Sequence, residues 1–126
     1  MNALWRVVAA SAFCMLSVNW TKTAYAQAPE KKAFCIIEIK VTDPEAFKGY
    51  TSRVQATMDP FGGRYLARRG RIALVEGDPP AGAVVISSWP SLEKAQAWYN
   101  SAAYQEIIDI RKKSAITRSY CTEALE

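Results

Sequence analysis

Two kinds of hydrophobic repeat alternate along this chain, and their order limits the folds that it can adopt. Residues Ala33–Val41 are rich in Ile and Val and alternate in polarity over the last five positions, which predicts a strand. The period then changes, because Asp43 suits a helix N-cap, Pro44 suits the first helical position, and apolar residues follow at spacings of three and four. We expect this helix to end just before Pro60, which cannot continue it.

The second half of the chain contains further extended stretches and two capped helical regions. They are, in chain order, strands at Arg64–Arg68, Arg71–Glu76 and Ala83–Trp89, helices that begin after Ser91 and Ser101, and a strand at Ile116–Thr122. Between the first two of these strands, Arg69-Gly70 is expected to reverse or bulge the chain. With Arg64–Glu76 taken as one bulged stretch and the two later helices as one helical region, the order is β-α-β-β-α-β, which predicts a ferredoxin-like α+β domain.

In that topology the first and last strands are antiparallel neighbours, which allows a test of their register. If Cys35 lies opposite Cys121, then Glu38 lies opposite Arg118, so one register satisfies both a disulfide and an ion pair. Opposed residues sit about 4.5–5.5 Å apart at Cα, which is close enough for a disulfide. We therefore predict one bridge, Cys35–Cys121.

The N-terminal segment has the pattern of a cleavable signal peptide. Arg6 precedes an uncharged, mostly apolar run at positions 7–18, and Ala24-Tyr25-Ala26 forms a small-x-small cleavage site before Gln27. The run is shorter than the roughly 20 residues that span a bilayer as a helix, which favours a signal peptide at 1–26 over a permanent membrane anchor. We expect an exported protein, periplasmic or secreted, without membrane association after cleavage, with a lead-in at 27–32 and one domain at 33–126. Two remaining cysteines agree with an oxidising compartment.

Charge argues against a nucleic-acid partner. The chain has 16 Lys and Arg against 12 Asp and Glu, and cleavage removes Arg6 and Lys22, which leaves too small an excess for a basic nucleic-acid-binding face. The densest basic cluster surrounds Gly70. Its members are Arg64, Arg68, Arg69 and Arg71, and they form either a solvated hairpin tip or an anion-binding patch.

The chain contains no histidine, and this excludes several kinds of chemistry. Acid–base catalysis by histidine, Ser-His-Asp or Cys-His nucleophiles and haem ligated by a proximal histidine are all ruled out. The mature cysteines do not form a Cys-x-x-Cys motif and lack further ligands, so no metal site is predicted. We accordingly predict no cofactor.

Several local patterns together resemble the family called domain of unknown function 1330. They are Asp43-Pro44 with Phe47 and Tyr50, Gly62-Gly63-Arg64-Tyr65-Leu66-Ala67-Arg68, Glu76-Gly77-Asp78, Val84-Val85-Ile86, and Trp89-Pro90-Ser91 with Ala95, Trp98-Tyr99, Ser101 and Tyr104. The resemblance covers about Ala33 to Arg118 and implies a dimeric α/β-barrel, in which two ferredoxin-like sheets pack face to face. It implies no reaction, because the activity of that family is not established.

The chain departs from the family pattern at three places. The usual Arg-Gly-Gly of the hairpin reads Arg68-Arg69-Gly70, and an acidic residue common before the aromatic-Pro-Ser is Ser88 here. The signal segment and the cysteine pair are additions. In the homodimer that the resemblance implies, we expect Phe34, Ile36 and Tyr120 at the interface. Helices cover only one face of the sheet, so in a monomer these apolar side chains on the other face would be exposed to water.

Two groups of residues are candidates for ligand contacts. The first group consists of aromatic residues, which either belong to the core or line a pocket between the helices and the sheet: Tyr50, Trp98, Tyr99 and Tyr104. The second group consists of arginines that would bind a carboxylate or phosphate of the ligand if the pocket exists: Arg64, Arg68 and Arg111. The Glu38–Arg118 pair is either a structural ion pair or a polar anchor for a ligand.

Three functional classes remain open from the sequence. The first is a non-catalytic homodimer that binds a small anionic or aromatic molecule. The second is a cofactor-independent enzyme of the oxygenase or isomerase type found elsewhere among dimeric α/β-barrel proteins. The third is a structural or interaction module.

Overall fold

The four predicted β-regions and the helices between them assemble around a single sheet. A computed structural model describes residues 29–125 of the chain, and the predicted signal peptide lies outside this range. Its elements are β1 (Ala33–Val41), α1 (Pro44–Met58), a short 3-10 helix (Asp59–Phe61), β2 (Arg64–Arg68), β3 (Ala83–Trp89), α2 (Leu92–Tyr99), α3 (Ala102–Ser114) and β4 (Ala115–Glu123). The strands form an antiparallel sheet in the order β2-β3-β1-β4. The predicted ferredoxin-like α+β fold is confirmed.

Each helix begins at the residue that the sequence indicated. The capping side chains are Asp43, Ser91 and Ser101, and each accepts a hydrogen bond from the backbone N–H three residues later, at 3.1, 3.2 and 3.3 Å respectively. Each cap stabilises its helix by about 1 kcal/mol. None of the helices within residues 29–125 combines the length and apolar character that a membrane crossing requires.

The pairing of β1 with β4 has the predicted register. The opposed pairs include Cys35–Cys121, Glu38–Arg118 and Ile36–Tyr120. The two cysteines form a disulfide that joins positions 86 apart in sequence, and Arg118 Nη2 lies 3.5 Å from Glu38 Oε1. The first and last strands of the domain are therefore covalently tied.

The sheet has one face covered by its own helices and one face that is not. Cys35 and Ile39 are buried on the covered, inner face, where they join a core that includes Met58 and Ile107. On the outer face a row of apolar side chains crosses all four strands. The row is Ala67, Ile86, Ile36 and Tyr120.

The strand predicted at Arg71–Glu76 is wrong. The sheet ends at β2, and the chain leaves it at Arg69, whose backbone has a φ of 54°. Residues 71–75 have no regular secondary structure, and Val75 is 94% exposed. The alternating apolar pattern favours a strand locally, but a strand also needs a neighbour for its N–H and C=O groups. Within the described domain no neighbour is available on that side of β2.

Candidate functional site

A cavity of about 400 Å³ lies between the inner face of the sheet and the helices. Its floor comes from alternate residues of all four strands, since the inner face of each strand points toward the helices. Its roof comes from α1, α2 and α3. The volume lies in the range of pockets that hold small organic ligands.

Trp98 is the centre of the aromatic wall of this cavity. Its ring centroid lies 4.1 Å from that of Tyr104 and 4.8 Å from that of Trp89. Its indole N–H donates to Thr57 Oγ1 at 2.9 Å, which fixes the orientation of the ring. Tyr99 packs beside Tyr104, with ring centroids 5.4 Å apart. The predicted aromatic residues therefore lie together on one wall.

A pair of buried hydroxyls lies in the cavity wall. Tyr50 Oη and Tyr104 Oη are 3.3 Å apart. Each tyrosine hydroxyl has one hydrogen to donate. One hydroxyl therefore donates to the other within the pair, and the second can donate its hydrogen to a further acceptor. Burial, reinforced by Tyr104, raises the pKa of Tyr50 above its ordinary value, although Arg111 opposes this. The pair can thus donate a hydrogen bond to a ligand, but Tyr50 is not a phenolate base near neutral pH.

Arg111 is the buried cation of the cavity. It lies one helical turn after Ile107 and Ile108 on the buried face of α3, and the residue is only 8% exposed. Its Nε has no hydrogen-bond partner, and no carboxylate within residues 29–125 lies within 4.0 Å of the guanidinium. A buried charge without a partner is costly. The cavity therefore carries an uncompensated positive charge in its depth.

A second unpartnered polar atom lies on the floor of the cavity. Thr117 Oγ1 is buried and makes no hydrogen bond. Thr117 is on the inner face of β4, opposite Ile39, and lines the cavity together with Arg111. An unpaired buried polar group costs about 1–3 kcal/mol. Arg111 Nε and Thr117 Oγ1 are thus two buried polar atoms without a hydrogen-bond partner in residues that line the cavity.

The rim of the cavity is also basic. Arg68 and Arg69 line it beside Tyr65, and the Arg68 guanidinium carbon lies 5.1 Å from the centroid of the Tyr65 ring. Burial raises the pKa of Tyr65 above its ordinary value, and Arg68 partly offsets this rise. No Asp, Glu or Lys is present among the described lining residues, so the charges of the cavity are those of three arginines.

The structure brings together six of the nine residues proposed as ligand contacts and separates three. The six that line the cavity are Tyr50, Trp98, Tyr99, Tyr104, Arg68 and Arg111. Glu38 and Arg118 face the outer side of the sheet, and Arg64 is opposite Ser88 on that same side. Strand alternation places Glu38 and Arg118 on the outer face, whereas the register shift between Tyr65 and Ala67 places Arg64 and Arg68 on opposite faces.

Sequence reasoning missed several lining residues. Tyr65, Arg69 and Thr117 are the polar ones with a role in the geometry described above. Ser87, also missed, accepts the indole N–H of Trp89 at 3.0 Å. Alternation separates Tyr65 from Arg64, but only the register shift between Tyr65 and Ala67 brings Tyr65 and Arg68 to the same face of the sheet.

Solved structures similar to this one share its fold at low sequence identity. A protein of unknown function from Rhodopseudomonas palustris is 18% identical, with a TM-score of 0.62 over 77% of this chain and 85% of that chain. SnoaB, a cofactor-independent oxygenase from Streptomyces nogalater, is 13% identical, with a TM-score of 0.55 over 76% of this chain and 95% of that chain. A dimeric protein of unknown function and ferredoxin-like fold from Bacteroides fragilis is 8% identical, with a TM-score of 0.51 over 77% of this chain and 100% of that chain.

At such identities these similarities bear on the fold alone. A comparison with curated proteins gives no significant match. The family described as a domain of unknown function, DUF1330, matches residues 32–125. That range includes all of the strands and helices described above, so the chain belongs to the DUF1330 family.

Proposed function

We propose that this protein binds a small organic anion with an aromatic or apolar body in the cavity between its sheet and its helices. The observation that carries the proposal is the buried guanidinium of Arg111, which has no carboxylate partner within the described residues. An anion would supply that partner through charge-assisted hydrogen bonds, which are about twice as strong as neutral ones. Trp98 and Tyr104 would cover the apolar body of the ligand.

Binding is a better account of this cavity than catalysis. Proton abstraction needs a group that is deprotonated near neutral pH, and the described lining residues include no carboxylate. Burial keeps Tyr50 protonated by raising its pKa, and the two lining cysteines are joined in a disulfide. The fold shared with a cofactor-independent oxygenase leaves that enzyme class as the alternative.

The test is a titration that follows tryptophan fluorescence, since Trp89 and Trp98 both line the cavity. Naphthalene-2-carboxylate and its neutral isostere naphthalene-2-carboxamide have nearly the same shape and differ in charge. We expect saturable binding of the carboxylate that is at least tenfold tighter than that of the amide, which corresponds to about 1.4 kcal/mol. Amide binding as tight as carboxylate binding, or binding of neither compound, would contradict the proposal.

We also propose a homodimer that is formed through the outer face of the sheet. Tyr120 is 48% exposed and Leu66, next to the apolar row, is 60% exposed. A contiguous apolar patch of this kind marks an interaction surface, and a self-complementary patch closes by two-fold symmetry. A protein of similar fold from Bacteroides fragilis is described as dimeric.

Placing a charge in the middle of that face should give a monomer. For Ile36→Lys we expect light scattering at micromolar concentration to give half the mass of wild type, because a buried unpaired lysine opposes association. Ala103→Lys is the control, since Ala103 lies on α3 in the other layer. Circular dichroism should show that both variants fold. A wild-type protein that is monomeric would overturn the dimer.

Export is proposed from the signal pattern and the disulfide together. Disulfides persist in oxidising compartments outside the cytosol, and Cys35–Cys121 is formed here. N-terminal sequencing of the exported protein should begin at Gln27. Recovery of an intact Met1 on membrane-bound protein would contradict cleavage.

A further inference from the structure

Arg68 and Arg69, at the rim of the cavity, differ from Arg111 in their exposure and in their position across the sheet. Arg68 is on β2, at one edge of the sheet, and is exposed. Arg111 is buried and lies close to the start of β4, at the opposite edge. Edge strands of a four-stranded sheet are about 14 Å apart, since neighbouring strands are spaced by 4.7–4.9 Å. The cationic side chains of the cavity thus come from elements near opposite edges of the sheet.

The rim arginines also lack acidic partners. No carboxylate within residues 29–125 lies within 4.0 Å of the guanidinium of Arg68 or Arg69. Arg68 instead stacks over the ring of Tyr65, which holds its guanidinium at the rim. Both arginines therefore have donors available for a ligand.

The backbone at Arg69 adds an independent observation. Its φ of 54° is in the left-handed region, where glycine is favoured because other residues carry a Cβ. The Arg69 N–H donates to Val84 O at 3.0 Å, which ties this conformation to β3. A non-glycine residue held in this conformation at the rim of a cavity points to a functional role for that residue.

We propose that the ligand is a dianion whose two acidic groups are at opposite ends of its apolar body. Arg111 binds the inner group, and Arg68 and Arg69 bind the outer group. This inference rests on the proposed function and narrows its ligand class. It follows from three cationic side chains at two levels of a cavity whose described lining includes no acidic residue. Arg69 then determines specificity for the second acidic group.

The test compares naphthalene-2,6-dicarboxylate with naphthalene-2-carboxylate by calorimetry. We expect wild type to bind the dicarboxylate at least tenfold more tightly than the monocarboxylate. Arg69→Gly should weaken dicarboxylate binding about tenfold and leave monocarboxylate binding within twofold. Its thermal unfolding midpoint should not fall, because glycine relieves the left-handed conformation. Arg71→Gly removes the same charge from a residue outside the cavity lining and should leave both affinities within twofold of wild type.

The possible failures are distinguishable. If wild type binds both naphthalene compounds equally tightly, or Arg69→Gly binds the dicarboxylate as tightly as wild type does, the dianion inference is wrong while the proposed function stands. If wild type binds neither compound, both are overturned. An equal loss of dicarboxylate binding in Arg71→Gly would assign the effect to overall charge and would also overturn the role of Arg69.

Discussion

Replacing Arg111 by methionine should make the protein more stable and should also remove most of its affinity for carboxylates. Methionine is unbranched and apolar, so it can fill the space of the arginine stem in this cavity. The substitution removes a buried charge that has no carboxylate partner within the described residues. We expect the free energy of unfolding, measured with urea, to rise by about 1–3 kcal/mol. Binding of naphthalene-2-carboxylate should weaken by at least tenfold.

The control for this substitution is Arg53→Met. Arg53 is an exposed arginine on α1 with a weak contact to Glu106 at 3.5 Å, and exposed pairs contribute little to stability. We expect its stability to change by no more than about 0.5 kcal/mol and its binding to match wild type. Arg111→Lys keeps the charge but loses the planar fork, so it should bind more weakly than wild type. A destabilised Arg111→Met protein with unchanged binding would show that Arg111 is a structural core residue.

Removing the disulfide should have the largest effect on stability. The Cys35–Cys121 bond joins positions 86 apart, and the chain-entropy model gives about 4–5 kcal/mol for a loop of this length. The measured cost of removing a native disulfide is typically about 2–5 kcal/mol, so we expect Cys121→Ser to lower the free energy of unfolding by that amount. A domain of about 100 residues has only about 5–15 kcal/mol in total. The variant should therefore be close to unfolding at 37 °C.

Thiol chemistry provides the matched measurement. Unfolded mature wild type should have no thiol that reacts with a titrant, and reduction should lower its stability as much as Cys121→Ser does. The Cys35→Ala, Cys121→Ser double variant should be insensitive to reductant. Two free thiols in protein from an oxidising compartment would show that the bond does not form there.

Most of the fold could be predicted because its signals are local. Pro44 after Asp43 starts α1, and two serines cap the later helices, so each helix begins where the sequence indicates. The register of β1 with β4 followed from two pairs that had to agree, a disulfide and an ion pair. The helix starts depend on local signals, whereas the register depends on two pairs of residues that are far apart in sequence, and the packing of the domain agrees with both.

The errors have their causes in tertiary context. The segment Arg71–Glu76 has the composition of a strand, but strand formation depends on a neighbour that the sequence does not reveal. Arg64 was grouped with Arg68 by proximity in sequence, although β2 sends them to opposite faces because its pairing shifts between Tyr65 and Ala67. Such a bulge changes the alternation, and no turn or glycine within β2 indicates it.

The site was predictable in its residue types but not in its electrostatics. Helical spacing placed Tyr50, Trp98 and Arg111 toward the sheet, and all three line the cavity. That Arg111 has no carboxylate within reach depends on every element packed against it, and so required the structure. The unpaired Thr117 hydroxyl is a further consequence of packing. The proposal of an anionic ligand rests on these unpartnered groups of the described residues rather than on a sequence motif.

We propose that Arg111 recognises the charge of a ligand in this cavity. Calorimetric titration of wild type and Arg111→Met with naphthalene-2-carboxylate and naphthalene-2-carboxamide measures the coupling between the residue and the charge. We predict that the carboxylate loses at least tenfold in affinity in Arg111→Met, while the weaker binding of the amide is the same in both proteins. Equal affinity of the carboxylate for both proteins would contradict the claim.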